Sequence, residues 1–297
     1  MPHPALLAAG VLEGLVLAAV LALTALGLSL VFGIMRVVNV AHGEFYMLGA
    51  VMAWFCADWT ASLVGGPPWL GFMVALLVAP AVAAAIAVAV DVFVLKRLHY
   101  DPEATIVATI GVLYILQQLA LTLYGPDARP VEAPIDWRVQ LPWFGYSGYK
   151  FVVIGASIVL MLCVWLVLAR TRIGLIMRAT QFDSETAQAF GIPVGRVYAG
   201  VFALGAALAA IGAVLIVPTQ QAHYLMGGDP LLLSFIVVII GGLGSLKGTL
   251  VAAVLIGLSD GIISTLYEPT LAKILATLLV AMVLVFRPQG LFGARPA

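Results

Sequence analysis

Apolar residues fill this chain in long blocks separated by short polar breaks. The blocks run near Ala5 to Met35, Phe45 to Val64, Trp69 to Leu95, Ala104 to Tyr124, Phe151 to Ala169, Ala199 to Val217, Leu231 to Leu246, Leu250 to Tyr267 and Leu271 to Phe286. A helix crossing about 30 Å of hydrocarbon needs about 20 predominantly apolar residues, because lipid offers no partner for unpaired backbone groups. The pattern therefore predicts an all-α, polytopic bundle of about nine spans. The first block is too long for one straight crossing and the seventh is rather short, so the range is eight to ten, with tilt or a break absorbing the mismatch.

Composition agrees with that reading. The 297 residues are 63% hydrophobic and 9% charged, against roughly 45–50% and 25% in a soluble domain, which rules out a water-soluble globule. Fourteen basic and fourteen acidic residues cancel, leaving no net field to attract nucleic acid, so no nucleic-acid partner is expected. Placement carries the information that the total lacks. No Lys or Arg precedes Arg36, so the first block reads as a retained span rather than a cleaved signal. With nine spans, one face holds Arg36, Lys96, Arg97, Arg170, Arg172, Arg178, Arg196, Lys247, Arg287 and Arg295, ten of the fourteen basic residues. The positive-inside bias makes that face cytoplasmic, with the amino end outside and the carboxyl end inside.

The chain then reads as a single transmembrane domain, residues 1–297, with two long breaks: Gly125 to Lys150 outside and Arg170 to Tyr198 inside. Neither is long enough to be a domain of its own. The outer one carries Trp137, Trp143, Phe144, Tyr146 and Tyr149, the composition of an interfacial aromatic belt.

Chemistry is sparse. Cys56 and Cys163 sit in apolar runs with no Cys or His at ligand spacing and read as packing residues, with no metal or cofactor implied. His3, His42, His99 and His223 lie far apart without HExxH spacing, no GxSxG places a nucleophile on a sharp turn, and Gly241 to Thr249 departs from a phosphate loop because Leu246 and Gly248 flank Lys247. Catalysis is not expected, and any nucleotide hydrolysis has to come from another polypeptide. Among acidic residues in the spans, Glu13, Asp58 and Asp91 fall toward run ends, where interface contact is the ordinary explanation. Asp260 is deep and serves either helix packing or a transport path.

Two polar, glycine-bearing breaks stand out. Asn39-Val40-Ala41-His42-Gly43-Glu44 sits between two early runs, and the stretch holding Gly241, Gly242, Gly244 and Ser245 sits between two later ones. Broken helices at membrane depth survive only where protein or water satisfies the backbone, so paired breaks mark a pathway. In the inner loop, Thr180 to Asp183 has the form of a capping box and Gly191 followed by Pro193 is a stop, predicting a helix of about ten residues with Phe182, Thr186, Ala189 and Phe190 on one face. Such a helix either lies on the membrane or fits a partner's groove. The residues alone leave both open.

The stretch from Gly33 to Ala50 resembles the Asn-Phe-Ala-His-Gly-Glu signature of the LivH-type permeases of branched-chain amino acid ABC importers. Thr109-Ile110-Gly111 leading to Gln117, Ile240 to Ser245 with Gly248, and Phe286 to Gly293 resemble that family's mid-chain span, glycine-rich segment and carboxyl tail. Val40 stands where the signature usually has Phe. The resemblance implies a multi-pass subunit of the bacterial inner membrane that pairs with a second homologous permease, binds two cytoplasmic ATPase subunits and receives solute from a periplasmic binding protein. It also implies that Met177 to Pro193 is the coupling loop docking into the ATPase, with Arg178, Phe182, Asp183, Glu185, Ala189, Phe190, Gly191 and Pro193 as candidate contacts. Relatives carry urea, short amides or aromatic acids as well as aliphatic amino acids. A stand-alone channel or ion-coupled carrier is the reading from another class.

Overall fold

A single uninterrupted helix, α1 (Pro4–Met35), takes up the whole first apolar block. Its 32 residues span about 48 Å at 1.5 Å per residue. A helix apolar on every side is stable only when surrounded. Accordingly α1 is buried almost continuously from Val16 to Met35, with Leu23 and Ala25 fully enclosed. Around it stand α2 (His42–Val64), α3 (Pro68–Val90, continued by a π-helical turn Asp91–Leu95), α4 (Pro102–Tyr124), α5 (Gly148–Arg170), α8 (Val194–Ile216), α9 (Gly228–Gly241), α10 (Leu246–Leu266) and α11 (Pro269–Phe286). Two short helices, α6 (Arg172–Phe182) and α7 (Ser184–Ala189), join α5 to α8. This computed structural model describes residues 4–287 and 289–292; His3, Pro288, Gly293 and Arg295 lie outside the described residues.

Among the described residues, eight helices are long and apolar enough to cross a bilayer. The seventh predicted run differs. Its helix, α9, starts at Gly228, ends at Gly241 and has 14 residues, about 21 Å long and short of the hydrocarbon thickness. The cause is local. Gly242 (φ 103°) and Gly244 (φ 77°) take backbone angles that side-chain-bearing residues rarely adopt, and Leu246 already belongs to α10.

Close helix approach follows small residues. Gly10 and Gly14 of α1 face Gly257 and Gly261 of α10, where a Cβ on Gly14 would come within 2.8 Å of the Gly257 carbonyl oxygen. Gly27 meets Gly205 of α8 in the same way. Without a hydrophobic driving force between helices in lipid, such backbone proximity is what holds a bundle together.

The connections sort onto two faces. One face carries the turns that include Arg36, Lys96 and Arg97, Arg170 to Arg196, and Lys247. The other carries four short strands of two or three residues, within an architecture that is otherwise helical as expected: β1 (Arg129–Pro130) pairs with β4 (Gln221–Ala222) and β2 (Arg138–Gln140) with β3 (Gly145–Ser147), both antiparallel. The aromatic loop on that face divides its labour. Trp137 and Trp143 are exposed, whereas Tyr146 and Tyr149 are buried and the Tyr149 hydroxyl donates to the Leu215 carbonyl at 2.6 Å.

Three residue expectations change or sharpen. Glu13 pairs with Lys150 at 2.5 Å, and Asp58 is exposed as expected at a helix end. Asp91, expected at the interface, is 1% exposed and accepts the Tyr100 hydroxyl at 3.5 Å. Cys56 packs in the core, but Cys163 is exposed, because α5 buries only a thin stripe including Val153, Ser157 and Leu168.

Candidate functional site

The site begins where α1 stops. Arg36 turns the chain with φ 56°, and residues 37–41 run back alongside α1 until the His42 Nε2 donates to the Thr24 carbonyl at 2.9 Å. Thr24 lies eleven residues before Met35, about 16 Å along the helix, so α2 starts near the middle of α1. Backbone groups stranded at that depth need partners. Asn39, buried, accepts the Ala41 N–H through Oδ1 at 3.0 Å, and the Thr109 hydroxyl of α4 accepts the Val40 N–H at 3.2 Å. One turn further, Gln117 donates to the Glu44 carboxylate at 3.0 Å. Glu44 is 1% exposed and sits in the first turn of α2, where a helix amino end favours negative charge. The His42 Nδ1 and the second Glu44 oxygen have no partner among the described residues.

A second interruption meets the first. After α8 the chain passes through a 3-10 turn (Val217–Thr219), β4 and a tight turn before α9 begins at Gly228. Gly227 lies directly against Gly43, so that a Cβ on either would overlap the other's carbonyl oxygen. The amino ends of α2 and α9 therefore converge near the middle of the bundle. Of the two breaks singled out in sequence, the first has this partner rather than the one expected. Gly241, Gly242, Gly244 and Ser245 form the end of α9 and the cap of α10 instead: Gly244 packs on Gly33 near the carboxyl end of α1, Gly241 packs on Gly248, and the Ser245 hydroxyl accepts the Gly248 N–H at 3.2 Å. The tail closes that end, with Leu291 N–H on the Ile240 carbonyl at 2.8 Å and Phe292 N–H on Gly241 at 3.1 Å. The later glycines thus cap helices about 13 Å along α1 from Thr24.

Above the convergence lies a cavity of about 400 Å³. Its walls are apolar on the α1 side, through Leu17, Val20 and Leu21, and include Thr24 and Tyr46 toward the two helix starts. Gln220, His223, Asp229, Asp260 and Lys273 supply the polar remainder. Asp229, in the first turn of α9, pairs with Lys273 of α11 at 2.7 Å. Asp260 of α10 is half-buried, accepts from Ser264, and stands within electrostatic range of both. Of the sequence candidates, Asp260 lines this cavity and His42 bonds a residue that does; Asn39, Gly43 and Glu44 support the helix start beneath it. Sequence reading missed Asp229, Lys273, Gln220, His223 and Tyr46. The available signal was Gly227-Gly228-Asp229-Pro230 immediately before an unusually short apolar run.

The loop joining α5 to α8 departs from the predicted ten-residue helix. Thr180 is buried inside α6, and the cap is Asp183, whose Oδ1 accepts the Glu185 and Thr186 N–H groups at 3.0 and 3.1 Å. The Thr186 hydroxyl, donating to Oδ2, and with it these N–H groups, hold the Asp183 carboxyl below the usual aspartate range. The result is two helices, because an Asp followed by Ser-Glu-Thr begins a new helix better than Thr180 does. Phe182 thus ends α6 and Phe190 caps α7, and they are 89% and 84% exposed. Gly191 (φ 84°) and Pro193 end the turn as expected. Arg178 donates to the Leu168 carbonyl, while Glu185 and Ala189 face outward.

These features define a polytopic membrane protein with two interrupted segments converging beneath a polar cavity. Residues 10–286 match the family described as branched-chain amino acid transport system / permease component, and the chain belongs to that family. It is 26% identical over 300 residues to the high-affinity branched-chain amino acid transport system permease protein BraD of Pseudomonas aeruginosa, covering 95% of this chain and 94% of that one. It is 25% identical over 305 residues to the permease protein LivH of the same kind of system in Salmonella typhimurium, with 95% and 94% covered. PsaBC from Streptococcus pneumoniae, solved in complex with a Fab, is similar at a TM-score of 0.48 and 14% identity over 93% of this chain and 91% of that one.

Proposed function

We propose that this chain is the membrane-spanning permease subunit of an ATP-driven importer carrying branched-chain or other small apolar amino acids into the cytoplasm by alternating access. It works with a second homologous permease, two cytoplasmic ATPases and a periplasmic binding protein, in the bacterial inner membrane. The observation that carries this reading is the contact of Gly43 with Gly227 beneath the cavity. The two broken segments meet there backbone to backbone, a contact at which one can shift against the other as a unit, which a gate needs. Motion reaches them from the loop of α6 and α7, where Phe182 and Phe190 are presented for a partner's groove. Gln181 of α6 touches the Gly33–Gly244 contact, a physical link between that loop and the ends of α1 and α9.

Proteoliposomes test it. The chain with its ATPases should take up tritiated L-leucine only with ATP and binding protein, and the chain alone should pass none. Phe190→Asp should leave ATP hydrolysis in place and reduce uptake at least tenfold. Flux through the chain alone would establish the channel or ion-coupled carrier instead. Uptake of urea, short amides or aromatic acids in place of leucine would keep the permease and change its solute.

A further inference from the structure

On the arginine-bearing face, the ends of α5 and α10 flank α1 across a cleft of about 280 Å³. Leu30 and Ile34 of α1 form its inner wall, with Leu168 of α5 and Leu246 of α10 on its sides. Trp165 borders the cleft near the end of α5 and is half-exposed, among the exposed neighbours Leu162 and Leu166. That is a surface for lipid, with a tryptophan at the depth where the hydrocarbon gives way to headgroups. One cation enters the cleft. Arg178 of α6 lines it and donates to the Leu168 carbonyl, and its planar fork has further N–H groups that no residue among those described accepts. Arg170 and Arg172 stand where α5 turns into α6, and Lys247 follows Leu246. Among the described residues, none that forms the cleft is acidic. Asp183 and Glu185, the acidic side chains that follow α6, line a separate polar cavity with Arg36. The loop thus sorts its charge, positive toward the cleft and negative away from it.

We propose that this cleft holds one anionic phospholipid. The lipid phosphate takes the free N–H groups of Arg178, whose fork matches phosphate oxygens, and an acyl chain lies along Leu30, Ile34 and Leu246. Each half of the cleft calls for the other half of the ligand. Free phosphate would leave the apolar walls bare, without the contacts that close packing supplies, and a soluble peptide has no route between two spans. A zwitterionic headgroup brings an ammonium along with its phosphate, and the surrounding cations disfavour it. A basic pocket between helices at the membrane surface is the arrangement that recognises anionic headgroups. Gln181 and Gly244, which also border the cleft, both touch Gly33, so the lipid braces the corner where the α6 loop meets α1. The site depends on the membrane-spanning fold and not on which solute the chain carries.

The test reconstitutes the full-length chain in vesicles and reads tryptophan quenching by phospholipids brominated on their acyl chains. The difference between the unaltered chain and Trp165→Phe isolates Trp165, because Trp54, Trp59, Trp69, Trp137 and Trp143 lie toward the strand-bearing face. Brominated phosphatidylglycerol in phosphatidylcholine should quench Trp165 with an affinity about fivefold or more above that of brominated phosphatidylcholine in phosphatidylglycerol, the weight of roughly one cation at an anionic surface. Arg178→Gln should bring that preference to within about twofold of none, and Arg178→Lys, which keeps the charge but not the fork, should retain part of it. Where Arg178→Gln fails to fold for want of its bond to Leu168, Arg172→Gln with Lys247→Gln leaves that bond in place and should lower the preference in the same direction. Ala169→Phe fills the cleft from an exposed position while leaving every cation in place, and it should abolish the preference too. A preference that survives Ala169→Phe would put the lipid on the basic surface instead of in the cleft and overturn the site. Equal quenching by the two lipids, or a preference unmoved by removing the cations, overturns it as well. So does loss of the preference when cytoplasmic partner subunits bind, which would make the cleft a protein contact.

Discussion

At Gly43 the missing Cβ is what allows two helices to touch. A Cβ there would overlap the Gly227 carbonyl oxygen and come within 2.8 Å of the Leu231 Cβ. Those atoms belong to backbone and to the root of a side chain, so neither can swing away. Gly43→Ala should therefore force the starts of α2 and α9 apart and cost about 1–3 kcal/mol, the range for overpacking a filled interior. Gly111 and Gly155, by contrast, face open space, and Gly111→Ala and Gly155→Ala should be neutral or slightly stabilising through their helical positions. Thermal unfolding in detergent, followed by size-exclusion fluorescence, gives the comparison. Equal melting of Gly43→Ala and Gly111→Ala would mean the Gly43–Gly227 contact bears no constraint. The same contact predicts that Gly43→Ala with Gly227→Ala is not additive, since either change alone already separates the pair.

At the scale of elements, α7 hangs on one residue. Asp183 supplies the cap for two N–H groups and also accepts the Thr186 hydroxyl at 2.5 Å. Its folded value is lowered, so the sign is fixed: the cap is fully present at and above the ordinary aspartate value of about 3.9 and is lost as pH falls through the depressed folded value. Hydrogen exchange at the α7 amides should stay constant from pH 7 to about pH 5, relative to the intrinsic rate, and lose protection only below the ordinary range. Asp183→Asn, which caps without titrating, should abolish that dependence; an identical pH profile in the variant would assign it elsewhere. This element also marks the limit of what the sequence discloses. Long spans were readable because lipid forbids unpaired backbone, which leaves helices as the one outcome for twenty apolar residues. The Asn39–Glu44 break was readable for the same reason, as polar residues where none should be. The split at Asp183 was not, because Thr180 and Asp183 can both cap a helix, and only the fold shows Thr180 buried within α6, which leaves the start of α7 to the stronger cap, Asp183. Nor was the pairing of Gly43 with Gly227, since which glycines meet depends on how far residues 37–41 and 217–227 turn back into the bundle, and no local pattern encodes that depth.

For the whole molecule, the half-length of α9 bears on orientation. Eight full crossings would return both chain ends to one face. Yet the chain leaves α8 near Leu215, where Tyr149 bonds it on the strand-bearing face, and α9 ends at Gly241 beside Gly248, with Gly244 against Gly33 on the arginine-bearing face. Counted as one pass, the turned-back residues 217–227 and α9 make the total odd. That count predicts the ends of the described chain on opposite faces. With the positive-inside bias, it predicts the arginine-bearing face, with α6 and α7, in the cytoplasm. A cysteine map checks this directly. Starting from Cys56→Ala with Cys163→Ser, since Cys163 is exposed on α5, a single cysteine is placed at Ser184 in α7 or at Asp136 beside the exposed Trp137. In intact cells a membrane-impermeant maleimide should label Asp136→Cys and leave Ser184→Cys untouched until the membrane is opened. The reverse pattern would put Phe182 and Phe190 where no ATPase can reach them, and the drive from that loop to the Gly43–Gly227 contact would have no source.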